Sequence, residues 1–286
     1  MRYAQRLDGK RVVLTGATGG LGQVLCRYLA ALGAELILVD RNPERAAALD
    51  ATLATEYPEA LVTHLIADME RMTDVRALCD TLERMAVDVL ILNAGAYAIE
   101  RRRTDSGYDN VFQINCVSPY YMARRLLPQL RERQGRVVAV GSIAHHYSRT
   151  DDKDIDFTSR KASSLVYGNA KRRLMGALYA LFRDERAATL AVVHPGVTFT
   201  NITAHYPPWL FAIIKHPMRL IFSPVRTAAL SILRGVCEGC GDYEWIGPRV
   251  FDVWGLPTKR RLHTIGAAES ATIATHAEQM WQELNT

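Results

Sequence analysis

The stretch Val12-Val13-Leu14-Thr15-Gly16-Ala17-Thr18-Gly19-Gly20-Leu21-Gly22 decides the fold. A short apolar run reads as a buried strand, and a glycine-rich turn follows it at once. An amphipathic helix then carries Leu25, Leu29 and Leu32 on one face and stops at Gly33. A second apolar run, Glu35-Leu36-Ile37-Leu38-Val39, closes on Asp40-Arg41. Glycines let a backbone approach a pyrophosphate closely, and a helix N-terminus offers it unpaired N–H groups. An ordinary strand-to-helix turn has no need of three glycines. With strand, helix and later acid all in place, the unit reads as a dinucleotide site.

The alternation continues outward from this unit. Residues 61–67 form a strand ending at Asp68-Met69, and 70–86 a helix. Val87-Asp88-Val89-Leu90-Ile91-Leu92 is a buried strand ending in Asn93-Ala94-Gly95. A long helix is expected over about 106–132, with Asn115 inside it. Arg136-Val137-Val138-Ala139-Val140 leads to Gly141-Ser142, and residues 188–193 lead to His194-Pro195-Gly196. Helices are expected over 223–236 and 269–284, with a last strand between them, somewhere in 243–254. The expected fold is α/β: a single doubly wound Rossmann domain with a parallel sheet of about seven strands and helices on both faces. No linker or repeat divides residues 1–286.

Between the fifth strand and His194 lies Tyr167-Gly168-Asn169-Ala170-Lys171. On a helix, Tyr167 and Lys171 share one face, one turn apart. An ammonium beside a phenol favours the phenolate, which makes the pair a proton donor and acceptor for an alcohol or carbonyl. Alone, such a pair is common on solvated helices; its company raises its weight.

Composition bounds the alternatives. Of 286 residues, 49% are hydrophobic, enough for one large α/β domain. The net charge of +5 is scattered, and its densest runs are triplets such as Arg101-Arg102-Arg103, too short for a nucleic-acid tail. Five cysteines, an odd number, suit free thiols in a reducing, cytoplasmic setting. Cys237-Glu238-Gly239-Cys240 lacks a second ligand pair, so no metal site is expected and a helix end is the better reading. No run reaches the roughly 20 apolar residues that cross a bilayer.

With these residues assembled, the chain resembles the short-chain dehydrogenase/reductase family over roughly residues 8–200. The ordered set carrying the resemblance is Thr15-Gly16-xxx-Gly20-x-Gly22, Asp68, Asn93-Ala94-Gly95, Asn115, Ser142, Tyr167-xxx-Lys171 and Pro195-Gly196. The resemblance implies an NAD(H)- or NADP(H)-dependent oxidoreductase acting on CH–OH and C=O groups, as a homodimer or homotetramer. It implies that Tyr167 is the general acid/base and that Lys171 holds the nicotinamide ribose and lowers the tyrosine pKa. Ser142 would then bond the substrate oxygen, and Asn115 would hold a water relaying protons to Lys171. The cofactor would lie along Thr15, Gly16, Thr18, Gly19, Gly20, Leu21 and Gly22. Asp40 and Arg41 would meet the adenosine ribose, and Asp68 and Met69 the adenine. Asn93, Ala94 and Gly95 would line the cleft, with Pro195, Gly196, Val197 and Thr200 on the nicotinamide side.

Ser142 and Tyr167 lie 25 positions apart, and the insertion opens Ser142-Ile143-Ala144-His145-His146. This is similar to the family's retinol dehydrogenase-like branch, which implies lipophilic retinoid-, steroid- or lipid-like substrates. The apolar run at about 203–222 takes the position of the family's substrate lid, with Trp209 and Phe211 as substrate contacts and His145 as another candidate. A membrane-surface contact and a subunit interface are the other readings of that run. Asp40 at the end of the second strand favours NAD(H), because a 2′-phosphate would meet its charge; neither Thr18 nor Gly19 is basic, which agrees. Arg41 keeps NADP(H) open. A nucleotide-sensing regulator and a membrane-recruited interaction protein on the same fold are the alternatives to an enzyme.

Overall fold

The computed structural model describes residues 5–196 and 223–285. An eight-stranded sheet runs in the order β3-β2-β1-β4-β5-β6-β7-β8. Its strands are β1 (Arg11–Thr15), β2 (Glu35–Asp40), β3 (Val62–Ile66), β4 (Val89–Leu92), β5 (Arg136–Val140), β6 (Thr189–Val193), β7 (Glu244–Val250) and β8 (Trp254–Arg261). All neighbouring pairs are parallel except β7 with β8. The helices are α1 (Gly20–Ala31), α2 (Pro43–Glu56), α3 (Met72–Glu83), α4 (Asn110–Phe112), α5 (Ser118–Glu132), α6 (Ser163–Phe182), α7 (Val225–Cys237) and α8 (Ala267–Asn285).

The strands read as continuous apolar runs because both faces are covered. On β1, Val12 and Leu14 face the layer of α1, α2 and α7, while Val13 faces the layer of α3, α5, α6 and α8. The same alternation splits Leu36 and Leu38 from Ile37 and Val39 on β2, and Val89 and Ile91 from Leu90 and Leu92 on β4. The chain leaves β3 at one edge and re-enters as β4 beside β1. That reversal opens a crevice beyond the C-terminal ends of β1 and β4, the usual ligand position in such sheets.

Two expected elements differ. The long helix begins at Asn110 rather than near 106, because Asp109 caps it: its carboxylate accepts the N–H groups of Val111 and Phe112. Residues Gln113–Val117 then form a π-helical turn before α5. The single strand expected in 243–254 is a hairpin: β7 turns at 251–253 and returns as the antiparallel edge strand β8. Cys237 ends α7, as a helix-end reading requires. Among the described residues no helix is long and apolar enough to cross a membrane.

Candidate active site

A cleft of about 870 Å³ lies at this crevice. The glycine turn forms one wall. At Gly22 a Cβ would lie 2.2 Å from the Gly16 carbonyl oxygen, so only glycine lets α1 start this close to β1. No side chain caps the first turn of α1, and no acid sits in it. Gly20, Leu21 and Gly22 line the cleft there, leaving a helix N-terminus for an anionic group. These features fit a dinucleotide pyrophosphate. Asp68, Met69, Asn93, Ala94 and Gly95 line the same cleft, as do Pro195 and Gly196 at its other end. Thr15 is the exception: it is buried and is not in the wall. Its hydroxyl donates to the Ile91 carbonyl and accepts from the N–H groups of Asn93 and Ala94, latching β1 to the end of β4.

Ser142, Tyr167 and Lys171 converge on the cleft from the end of β5 and from α6. Lys171 is buried, and its ammonium donates to the Val140 carbonyl at 2.9 Å. Burial pushes its pKa down to about 8. Its Nζ stands 5.8 Å from the Tyr167 ring centre. Tyr97 meets that ring edge-on, with centroids 5.4 Å apart. Burial pushes the Tyr167 phenol up to about 12, against a lowering hydrogen bond with Ser142. The expected lowering by Lys171 is therefore not the balance in the protein alone: desolvation wins, and Tyr167 is a neutral phenol at pH 7.

Asn115 sits in the π-turn, fully buried, with Nδ2 donating to the carbonyls of Ala96 and Val111 at 2.8 Å each. Its Oδ1 has no partner among the described residues. A Cβ on Gly95 would lie 2.8 Å from that oxygen and 3.7 Å from Lys171 Nζ. Gly95 thus keeps open the space between the Asn115 oxygen and the lysine. π-Turns recur at functional sites because one extra residue re-aims a side chain without ending the helix.

At the other end, Asp40 lines the cleft, but its carboxylate is already engaged. Its carboxylate accepts Thr18 N–H, the Thr18 hydroxyl at 2.7 Å and His64 Nε2 at 2.9 Å. Arg41 and Arg45 line the cleft beside it. His145 also departs from expectation. It is fully buried off the cleft wall, with Nδ1 against the Ser142 carbonyl and Nε2 2.7 Å from the Thr264 hydroxyl. It packs on Trp245 and is not placed to touch a substrate. Val197, Thr200, Trp209, Phe211 and the 203–222 lid lie outside the described residues.

Tyr97, Tyr147 and Arg45 line the cleft with no sequence signal to mark them, and His194, noted in the sequence only as the end of a strand, lines it too. Tyr97 lies in an irregular segment with no periodicity to mark it. His194 follows β6 and stacks on Trp245 at 5.4 Å, and burial pushes it down to about 3.

Comparison with known proteins agrees with this geometry. A family model described as short chain dehydrogenase matches residues 10–210. The chain is 27% identical over 204 residues to the polyprenol dehydrogenase of Homo sapiens, covering 68% of this chain and 62% of that protein. It is 29% identical over 216 residues to the retinol dehydrogenase 14 of Mus musculus, covering 70% and 64%. The matches thus span less than two thirds of these relatives' lengths. A solved structure of an uncharacterised protein from Mycobacterium paratuberculosis superposes with a TM-score of 0.79 at 26% identity, covering 98% of this chain and 96% of that one. A short-chain dehydrogenase from Sphingobium yanoikuyae in complex with NADPH has a TM-score of 0.61 at 25% identity, covering 79% and 83%.

Proposed function

The chain belongs to the short-chain dehydrogenase family, and we propose that it transfers hydride between a nicotinamide dinucleotide and an alcohol or carbonyl of a lipophilic substrate. The carrying observation is the convergence of Ser142, Tyr167 and Lys171 on one wall of a cleft whose other wall is the glycine turn. The dinucleotide supplies or takes the hydride when bound. In the reductive direction, Tyr167 gives its phenolic proton to the carbonyl oxygen as that oxygen gains charge. Ser142 donates a hydrogen bond to the same oxygen and stabilises it. Lys171 stabilises the phenolate that remains, and a water on Asn115 Oδ1 passes a proton toward Lys171. In the oxidative direction the same protons run backward. The neutral state of Tyr167 in the protein alone suits the acid role.

The apolar character of the wall supports a lipophilic substrate: Tyr97, Ile99, Ile143 and Tyr147 line it. So does the composition of residues 203–222, where Trp209 and Phe211 stand in a largely apolar run proposed as the lid. The polyprenol and retinol relatives point to the same chemical class. All four reacting-end side chains are retained, which argues against a regulator or interaction protein with lost catalysis.

The test is the absorbance of reduced nicotinamide with a panel of apolar ketones and alcohols, large and small. On a substrate so found, Tyr167→Phe should lower kcat by about 10² to 10⁴-fold, the usual worth of proton-transfer catalysis. Dinucleotide affinity should stay nearly unchanged. A Phe variant turning over at the wild-type rate would remove Tyr167 from the mechanism.

A further inference from the structure

His64 sits on β3 opposite Leu38, two residues before the Asp40 position in register. Alternation along parallel strands therefore puts His64 and Asp40 on the same face of the sheet. Its ring bridges two carboxylates: Nε2 lies 2.9 Å from Asp40 Oδ2, and Nδ1 lies 2.7 Å from Asp50 Oδ1 on α2. The side chains of His64 and Asp40 are only 7% and 4% exposed. A neutral imidazole has one N–H and can satisfy one acceptor; both contacts as hydrogen bonds require the imidazolium. Burial disfavours that charge, but the bonds to Asp40 and Asp50 outweigh burial and the net direction of the His64 pKa is up.

An ionised carboxylate offers about four lone-pair sites. Asp40 makes four contacts, two to the Thr18 N–H, one to the Thr18 hydroxyl and one to His64. The Thr18 N–H is one donor shared by both oxygens, so three donors hold the carboxylate and leave it too little free acceptor capacity for two ribose hydroxyls; the His64 contact also opposes its charge. Meanwhile Arg45 donates to the Thr18 carbonyl at 2.8 Å and so leans over the glycine turn. Arg41 is exposed on the cleft, with no side-chain partner among the described residues. In the wall of the cleft at this end stand two guanidinium groups, Arg41 and Arg45, and two carboxylates, Asp40 and Asp68, of which Asp40 is already held by Thr18 and His64.

We propose that His64 is a positioning residue for cofactor choice. By bridging Asp40 and Asp50 it holds the Asp40 carboxylate on the glycine turn, leaving Arg41 and Arg45 to meet a 2′-phosphate, so that the cleft takes NADP(H) over NAD(H). This rests on the dinucleotide reading of the cleft and reverses the preference that Asp40 alone suggests. Arg41 and Arg45 act on the phosphate directly; His64 acts through Asp40.

The test is direct titration of the full-length protein with NADPH and NADH, followed by calorimetry and by nicotinamide fluorescence. Wild type should bind NADPH about tenfold tighter or more. His64→Leu frees the Asp40 charge and should lower the NADPH:NADH affinity ratio by about tenfold, the scale of one charge-assisted hydrogen bond. Asp40→Asn in the His64→Leu background removes that charge and should restore the ratio, which a merely structural loss would not do. Asp50→Asn, on a half-exposed carboxylate outside the cleft wall, should move the ratio the same way by a smaller factor; it decides the matter if His64→Leu does not fold. A wild type preferring NADH, or variants that weaken both dinucleotides alike, would overturn the role of His64 while leaving the oxidoreductase reading intact. A protein that binds neither dinucleotide would overturn both.

Discussion

The two ends of the cleft handle buried polar groups in opposite ways. At the glycine-turn end, Asp40, Thr18, His64 and Asp50 close on one another, and both ring nitrogens of His64 and both oxygens of Asp40 have partners. At the other end, Lys171 is buried with a backbone carbonyl as its partner, and Asn115 Oδ1 has none among the described residues. Burying polar groups unpaired is costly. A fold keeps such groups where something else completes their hydrogen bonds, so the unfinished end is where reacting atoms are expected. The finished end shapes a surface instead, and its charged partners act on a ligand through what they hold in place.

The sharpest way to break this contrast is to remove the costliest unfinished group. Lys171→Met should lower kcat/KM by about a hundredfold or more, because the phenolate of Tyr167 loses its cation. The same change should stabilise the fold by about 1–2 kcal/mol at pH 7. The sign follows from the direction of the shift. The folded pKa of Lys171 is about 8, below its ordinary value, so the fold disfavours the ammonium. The wild type therefore carries this cost in full below pH 8 and sheds it as pH rises from 8 toward the unfolded value of about 10.5. Melting curves of both proteins from pH 6 to 11 should converge at the alkaline end. A variant less stable than wild type at pH 7 would mean that Lys171 is a structural tie and not a strained functional group.

How far this contrast is readable without coordinates differs between the ends. The unfinished end was legible: Ser142, Tyr167 and Lys171 each follow a strand end or share a helix face, relations set by local periods of two and 3.6 residues. The β1–α1–β2 unit was legible for the same reason, its apolar runs being local. The π-turn was not, because one residue inserted into a helical ladder leaves no mark in composition. Nor was the clasp on Asp40. It depends on the β2–β3 register and on α2 lying over that face, and neither neighbour of His64 is near it in sequence. The place of His145 is hidden from the sequence for a related reason: Trp245 of β7, a hundred residues on, packs against it and helps bury it. The edge strand β8 gives no strand signal because Trp254-Gly255-Leu256-Pro257-Thr258-Lys259-Arg260-Arg261 is half polar, as a one-sided edge permits.

A smaller effect sharpens the role of the π-turn. Asn115→Ala removes the donor that ties the Ala96 and Val111 carbonyls together and leaves both buried acceptors short. The expected loss of stability is about 1–3 kcal/mol. Turnover should fall as well, by about a hundredfold, the lower end for a proton-transfer contribution. Asn115→Asp separates the two effects: it keeps an oxygen for a water but supplies no donors in its ionised form. It should lose stability like the alanine variant while keeping more of the rate. Equal rate losses in both would assign Asn115 to structure alone.

The smallest expected effect lies at the finished end. Thr18→Val removes the 2.7 Å hydroxyl contact to Asp40 but leaves the Thr18 N–H and His64 in place. The carboxylate keeps most of its partners, and the freed lone pair faces an adjacent methyl rather than a ribose. Dinucleotide affinity should change by less than about threefold, below the worth of one average hydrogen bond, because the remaining donors share the charge. The NADPH:NADH ratio should move by even less. This small effect is what a carboxylate still held by the Thr18 N–H and His64 requires. If Thr18→Val instead shifted the ratio as far as His64→Leu, the hydroxyl and not the imidazole would be holding Asp40, and the bridge to Asp50 would be incidental to cofactor choice.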